Sequence, residues 1–269
     1  MIGLEGPVKA VARKVGIRRA TLSAFRTQFE RRALAATRRP SATAAGRILC
    51  YHSVGTPRWG VNDVSPRRFR RHIEQVLRLG YTFVPAAKIA HGKGGPNDVA
   101  ITFDDGLLSV ATTAAPILDS YSIPWTLFVV GGWIDGRHDF GEGVIMGWAE
   151  VQHLAARGVE IGSHSMSHPD FGALEGRAAY IELVESRRLI EARTGLQTRA
   201  FAIPLGQSTN WSPEAQSAAG EAGYQLVYAQ SVRNRPQGTV PRTFVTRGDD
   251  TRMFKAALEG AFDGWEERL

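Results

Sequence analysis

The strongest constraint on this chain is an alternation. From Arg47 onward, short apolar runs alternate with amphipathic stretches. Runs at 48–51, 99–103, 125–130, 159–162, 200–203, 226–228 and 243–245 read as strands. Phe69, Ile73, Val76 and Leu77, behind Ser65-Pro66, mark a capped helix that Gly80 stops. Further helices are expected around Ala114, Ile117 and Leu118, over 148–157, over 178–194 and over 213–222, the last three closed by Gly158, Gly195 and Gly223. Such repeats bury parallel strands beneath helical crossovers. Chemistry in these folds gathers just beyond the carboxyl ends of the strands. The polar clusters fall there: His52, Asp104-Asp105, His164, and the neighbours of Pro204.

Thr102-Phe103-Asp104-Asp105-Gly106 sets two adjacent carboxylates at a strand end. Successive strand side chains point opposite ways, so the turn at Gly106 has to redirect the chain before both acids can face one site. One acid can then bind a cation while the other stays free as a base. A divalent cation keeps a carboxylate ionised and acidifies a bound water. Alone, the motif also reads as a capping turn. His164-Ser165-Met166-Ser167-His168 offers two imidazoles four apart, on a helical turn or a tight loop. Alone, it also reads as two surface histidines. Together the motifs can make an Asp-His-His site with open positions.

These two segments, followed by Phe201-Ala202-Ile203-Pro204-Leu205-Gly206, resemble the first three motifs of the polysaccharide deacetylases, carbohydrate esterase family 4. The segments 48–54, 65–84, 148–162 and 222–224 resemble the same family, so the similarity runs from about residue 47 to 260. It implies a distorted (β/α) barrel holding a divalent metal, often zinc, that removes acetyl groups from N-acetylated sugars. By position, Asp105, His164 and His168 would hold the metal. Asp104 would be the general base that deprotonates the attacking water, with the metal and a backbone N–H stabilising the oxyanion.

Two positions depart from the family pattern. The third motif usually carries an arginine that pairs with the base; here Ala202 stands there, and Leu205 replaces the aromatic residue before the glycine. Arg242, in Val240-Pro241-Arg242-Thr243-Phe244-Val245, is the candidate to fix Asp104 instead, against the reading of a solvated strand-end arginine. The C-terminal general-acid histidine is also missing, since His168 is the last histidine in the chain. Leu49-Cys50-Tyr51-His52 resembles that motif moved to the front, as in the exopolysaccharide-deacetylase branch. His52 is therefore expected to protonate the leaving amine; the alternative is a structural histidine beneath the site. Trp59, Trp133, Trp148 and Trp211 are candidates for stacking on sugar rings, or for core packing. His72, His91, His138 and His153 have no partner motif.

Charge separates off the N-terminus. The formal net charge is +7, yet residues 1–45 hold ten Lys or Arg against Glu5 and Glu30, and the rest is close to neutral. The basic balance thus describes an arm, which argues against nucleic-acid binding by the body. Val8, Val11, Val15, Leu22, Phe25 and Phe29 recur at three- and four-residue steps, as one amphipathic helix or two hinged at Gly16. Its readings are docking on an anionic membrane surface or a protein partner, packing on the barrel, a solvated arm, or, from a loose helix-turn-helix spacing, DNA binding. The lone Cys50 excludes an intramolecular disulfide. No run reaches 18 apolar residues and the first 30 lack a signal-like core, so a cytoplasmic or membrane-associated location is expected.

The sequence thus predicts a basic helical arm and linker over 1–45 and a catalytic α/β barrel over 46–269. The expected reaction is metal-dependent removal of N-acetyl groups from N-acetylglucosamine-type units of a polysaccharide or glycan precursor. Its rivals are deformylation or deacylation of a sugar–lipid, and a catalytically weakened carbohydrate-binding homologue.

Overall fold

A computed structural model describes residues 19–37 and 45–266. Helix α1 (Arg19–Thr37) precedes β1 (Arg47–Tyr51), and two short strands follow, β2 (Ser53–Val54) and β3 (Asp63–Val64). Then come α2 (Pro66–Arg78), β4 (Thr82–Phe83), α3 (Ala86–Ala90) and β5 (Asp98–Phe103). A π-helical turn at Val110–Ala114 leads into α4 (Ala115–Asp119). The chain continues through β6 (Trp125–Val129), α5 (Gly131–Ile134), α6 (Trp148–Ala156), β7 (Glu160–Ser163) and α7 (Gly176–Thr194). It ends with β8 (Ala200–Ala202), α8 (Pro213–Glu221), β9 (Leu226–Tyr228), β10 (Thr243–Phe244) and α9 (Thr251–Leu258). The expected strands and helices are therefore present to within a residue or two. The short β2–β4, α3, α5 and α9 were not anticipated, because runs of two to eight residues carry too little periodicity.

The main sheet is parallel throughout, in the order β10-β1-β5-β6-β7-β8-β9, with β4 alongside the start of β5. The segment before β10 closes the curve. Val240 bridges Tyr228 of β9, and three residues later Thr243 pairs with Leu49 of β1. The sheet thus curls into a distorted barrel. β1 and β6 are buried along their whole length, as strands covered on both faces must be. Leu49, Tyr51, Ile101, Phe103, Leu127 and Val129 point outward into the helical layer. Their alternates Ile48, Ala100, Phe128, Ala200, Ala202 and Tyr228 fill the barrel. Asp104 shares the inward parity of Ala100 and Thr102, so it faces the barrel mouth.

The N-terminal sequence expectation falls partly outside the described residues: Gly16 and everything before Arg19 lie there. Within them, α1 is one helix packed against α9. No helix among the described residues is long and apolar enough to cross a membrane.

Candidate metal centre

Asp105, His164 and His168 come together at the mouth of the barrel. His164 Nε2 lies 3.6 Å and His168 Nε2 3.7 Å from Asp105 Oδ1. One ligand atom from each residue lies within 4.8 Å of the other two. A metal 2.0–2.1 Å from each of three tetrahedrally placed atoms would hold those atoms about 3.4 Å apart, so the residues present fit a small divalent ion. The donor chemistry agrees. His164 Nδ1 is 2.8 Å from the carbonyl oxygen of Ala202. A carbonyl only accepts, so Nδ1 carries the proton and Nε2 presents its lone pair. Burial lowers the pKa of His164 to about 3, against the opposing pull of Asp104, so the ring is neutral at physiological pH. Burial lowers that of His168 too.

The backbone does unusual work to bring these groups together. Asp105 has φ 76°, Ser165 72° and His168 62°, all in the left-handed region that non-glycine residues rarely enter. Asp105 and Gly106 (φ 78°) form the turn that aims both carboxylates at one place. A Cβ on Gly106 would sit 2.8 Å from Ile134 Cδ1, so another residue there would be strained by the angle and would push that side chain aside. The histidine loop is held from below: His168 N–H donates to Ser165 Oγ, Ser165 N–H to Ser163 Oγ, and that hydroxyl shares a proton with Ser186.

Asp104 is held by Arg242. The guanidinium donates from Nη1 to Oδ1 at 2.6 Å and from Nη2 to Oδ2 at 2.8 Å. Both side chains are buried. Arg242 also donates to Thr102 Oγ1 and the carbonyl of Ala229, and its guanidinium sits 5.4 Å above the Phe128 ring. Ala202 stands where the family pattern has its arginine, and the arginine that holds Asp104 here is Arg242, directly before β10. The solvated reading of Arg242 is thereby overturned. Burial would raise the Asp104 carboxyl, but Arg242, aided by His164 and His52, pulls it well below the usual carboxylate range. Asp105 lacks that partner, and burial beside Asp104 raises it. Cys50, fully buried, donates to Asp104 Oδ2 at 3.4 Å. Nothing in the sequence patterns pointed to that contact.

His52 is buried, its Nδ1 without a hydrogen-bond partner, and it lies within ligand-atom reach of Asp104 and Cys50. Its ring meets Phe244 edge to face, centroids 5.5 Å apart. The structure also sorts the tryptophans. Trp211 packs in the core against Phe201, and Trp148 donates to Asp135 on the outer layer. Trp59 donates from Nε1 to Asp105 Oδ2 at 3.3 Å, and Trp133 stacks on His168 at 5.1 Å. Phe140 joins these two, giving a half-buried aromatic arc beside the metal ligands. His72 lies elsewhere, between β1 and α9.

Comparison with known proteins agrees with this geometry. The family model described as "Polysaccharide deacetylase" matches residues 91–227. A putative polysaccharide deacetylase, YxkH, of Bacillus subtilis (strain 168) is 27% identical over 221 residues, 79% of this chain and 75% of that one. The poly-beta-1,6-N-acetyl-D-glucosamine N-deacetylase of Escherichia coli (strain K12) is 36% identical over 118 residues, 38% of this chain and 18% of that one. Among solved structures, IcaB from Ammonifex degensii superposes with a TM-score of 0.66 at 25% identity, covering 81% of this chain and 98% of that one. The Streptococcus pyogenes deacetylase PplD, solved with acetate, gives 0.69 at 19% identity over 82% and 100% and bears on the fold alone. The family match spans both carboxylates and both histidines, while His52 and Arg242 lie outside it: the pairing of β1 with β5 brings His52 to them, and the pairing of β10 with β1 brings Arg242. On the family match and the fold together, this chain belongs to the polysaccharide deacetylase family.

Proposed function

We propose that the protein removes acetyl groups from N-acetylglucosamine units of a glycan, with zinc as the metal. The observation that carries this reading is the Asp105-His164-His168 triad set beside an ionised, arginine-held Asp104. Two neutral imidazoles and one carboxylate suit zinc and leave positions open for substrate. When bound, the ion supplies Lewis-acid polarisation of the acetyl carbonyl and acidification of water. Asp104 takes the proton of the attacking water. Arg242 fixes both Asp104 oxygens, so the base presents one orientation and stays deprotonated between turnovers. His52 gives its proton to the amide nitrogen as the C–N bond breaks, releasing acetate and a free amine. Its ring lies within ligand-atom reach of Asp104, beside the reacting groups. The aromatic arc of Trp59, Phe140 and Trp133 supplies apolar faces of the kind sugar rings stack on.

The relatives suggest the polymer. One is named for poly-beta-1,6-N-acetyl-D-glucosamine, and another, from Sinorhizobium fredii, is a chitooligosaccharide deacetylase, 29% identical over 51% of this chain and 58% of that one. With His52 ahead of the metal motifs, we favour the β-1,6-linked polymer. Acetate release from β-1,6- and β-1,4-linked N-acetylglucosamine oligomers decides between them. Faster turnover of the β-1,6 series is expected; a preference for the β-1,4 series overturns the assignment of linkage but not of reaction.

A further inference from the structure

We infer that α1, the described part of the basic arm, is a positioning element of the active site, acting through Arg31 on the wall that holds His52. Arg31 is completely buried, unusual for a residue in an arm read from its charge. Its Nε and Nη2 donate to Asp249 at 3.2 and 2.6 Å, and Nη2 also donates to the carbonyl of Phe244 at 3.2 Å. Its guanidinium lies 3.9 Å from the centroid of Phe262 and 4.9 Å from that of Trp265. One turn earlier Gln28 donates to Thr246 Oγ1, and the adjacent Glu30 accepts the indole N–H of Trp265 at 3.1 Å. Asp249 in turn accepts from the N–H of Thr246. The arm thus grips the chain just beyond β10 by backbone and side chain alike.

That grip leads to the site. Trp265 and Phe244 lie parallel at 6.3 Å, and the Phe244 ring meets His52 edge to face. His52 Nδ1 has no hydrogen bond of its own, so the edge-to-face contact with Phe244 helps to set the angle of its ring. Holding Phe244 and Trp265 in place therefore holds the imidazole in place. A proton donor displaced by a fraction of an ångström loses transfer to the leaving nitrogen while the metal triad stays intact.

This inference rests on His52 being the proton donor, and its test separates the two. An amide needs a proton on its leaving nitrogen; an aryl acetate with a good phenolate leaving group does not. Arg31→Met, Glu30→Gln and His52→Ala are compared with the unmodified chain, all zinc-loaded, on an N-acetylglucosamine oligomer and on 4-nitrophenyl acetate. Zinc content and thermal melts are recorded for each. Arg31→Met is expected to lower kcat on the amide at least ten-fold more than on the ester, with KM within about three-fold. Glu30→Gln, which weakens the Trp265 contact and the exposed ion pair with Arg26, should shift the ratio the same way by a smaller factor. It keeps the test open if Arg31→Met fails to fold. His52→Ala should show the largest selective loss. Equal loss on both substrates in the Arg31 and Glu30 variants, or no loss in either, overturns the positioning role. A non-selective loss in His52→Ala overturns the proton-donor assignment, and the inference falls with it.

Discussion

Burial pushes the carboxyls of both Asp104 and Asp105 upward, and only Asp104 is hydrogen-bonded to the Arg242 guanidinium. In the proposed mechanism that difference divides their roles: the paired acid stays ionised as a base, and its neighbour would take the metal. The pairing is bidentate, which a lysine point charge cannot reproduce. Arg242→Met leaves a buried carboxylate unpaired. It is expected to cost about 3–5 kcal/mol in denaturant unfolding and at least a hundred-fold in kcat/KM. Arg242→Lys should recover stability better than activity. Activity within three-fold of the parent in either variant would show that Asp104 needs no such partner. The same residue-scale logic reaches the triad. His168→Ala removes one of three donors, and metal affinity, read by competition with a chromophoric chelator, should fall by at least a hundred-fold.

At the scale of elements, two loops and one helix pair carry the argument. Helix α5 and the loop after it bring Trp133 and Phe140 to the Asp105-His164-His168 cluster, and the turn after β2 brings Trp59. Phe140→Ala, the member that neither hydrogen-bonds to Asp105 nor stacks on His168, should weaken oligosaccharide binding to an Asp104→Asn protein by about three- to ten-fold, read by tryptophan fluorescence. Equal affinity would remove the arc from the substrate path. Between α2 and α9, His72 stacks on Phe254 at 3.9 Å. Its Nε2 donates to the carbonyl of Asp249, and its Nδ1 accepts from the Tyr51 hydroxyl. Burial lowers its pKa to about 4 from an ordinary 6.5. Between those values the unfolded chain binds a proton that the folded one refuses. Stability is therefore complete above pH 6.5 and falls as the pH drops toward 4, by on the order of 3 kcal/mol. Unfolding free energies from pH 7 to 4 should follow that slope, and His72→Gln should flatten it; a flat parent profile would contradict the assignment.

For the whole molecule, the barrel was legible because parallel strands buried on both faces leave continuous apolar runs, and because the donors sit in short motifs at strand ends. Asp105, His164 and His168 could be named from two such ends. Arg242 could be named as a candidate, but its partner lies 138 residues away, and only the closing of β10 onto β1 brings them together. Cys50 and Trp59 touch the carboxylates through contacts with no local signature. The arm was misleading in a specific way. Its charge suggested a surface, whereas Arg31 is buried against Asp249, 218 residues distant. Long-range ion pairs of this kind are invisible to periodicity, which reports only on neighbours one or two turns apart.

The central claim is that the Asp105-His164-His168 triad and Asp104 together hydrolyse an N-acetyl amide. The most direct measurement is acetate release from β-1,6-linked N-acetylglucosamine oligomers by protein stripped of metal and reloaded with one equivalent of zinc, beside Asp104→Asn treated alike. The account predicts no release from the stripped protein, release restored by zinc, and loss of at least a thousand-fold in Asp104→Asn with zinc still bound. Stoichiometric zinc without acetate from any N-acetylglucosamine oligomer, or full activity in Asp104→Asn, would contradict it.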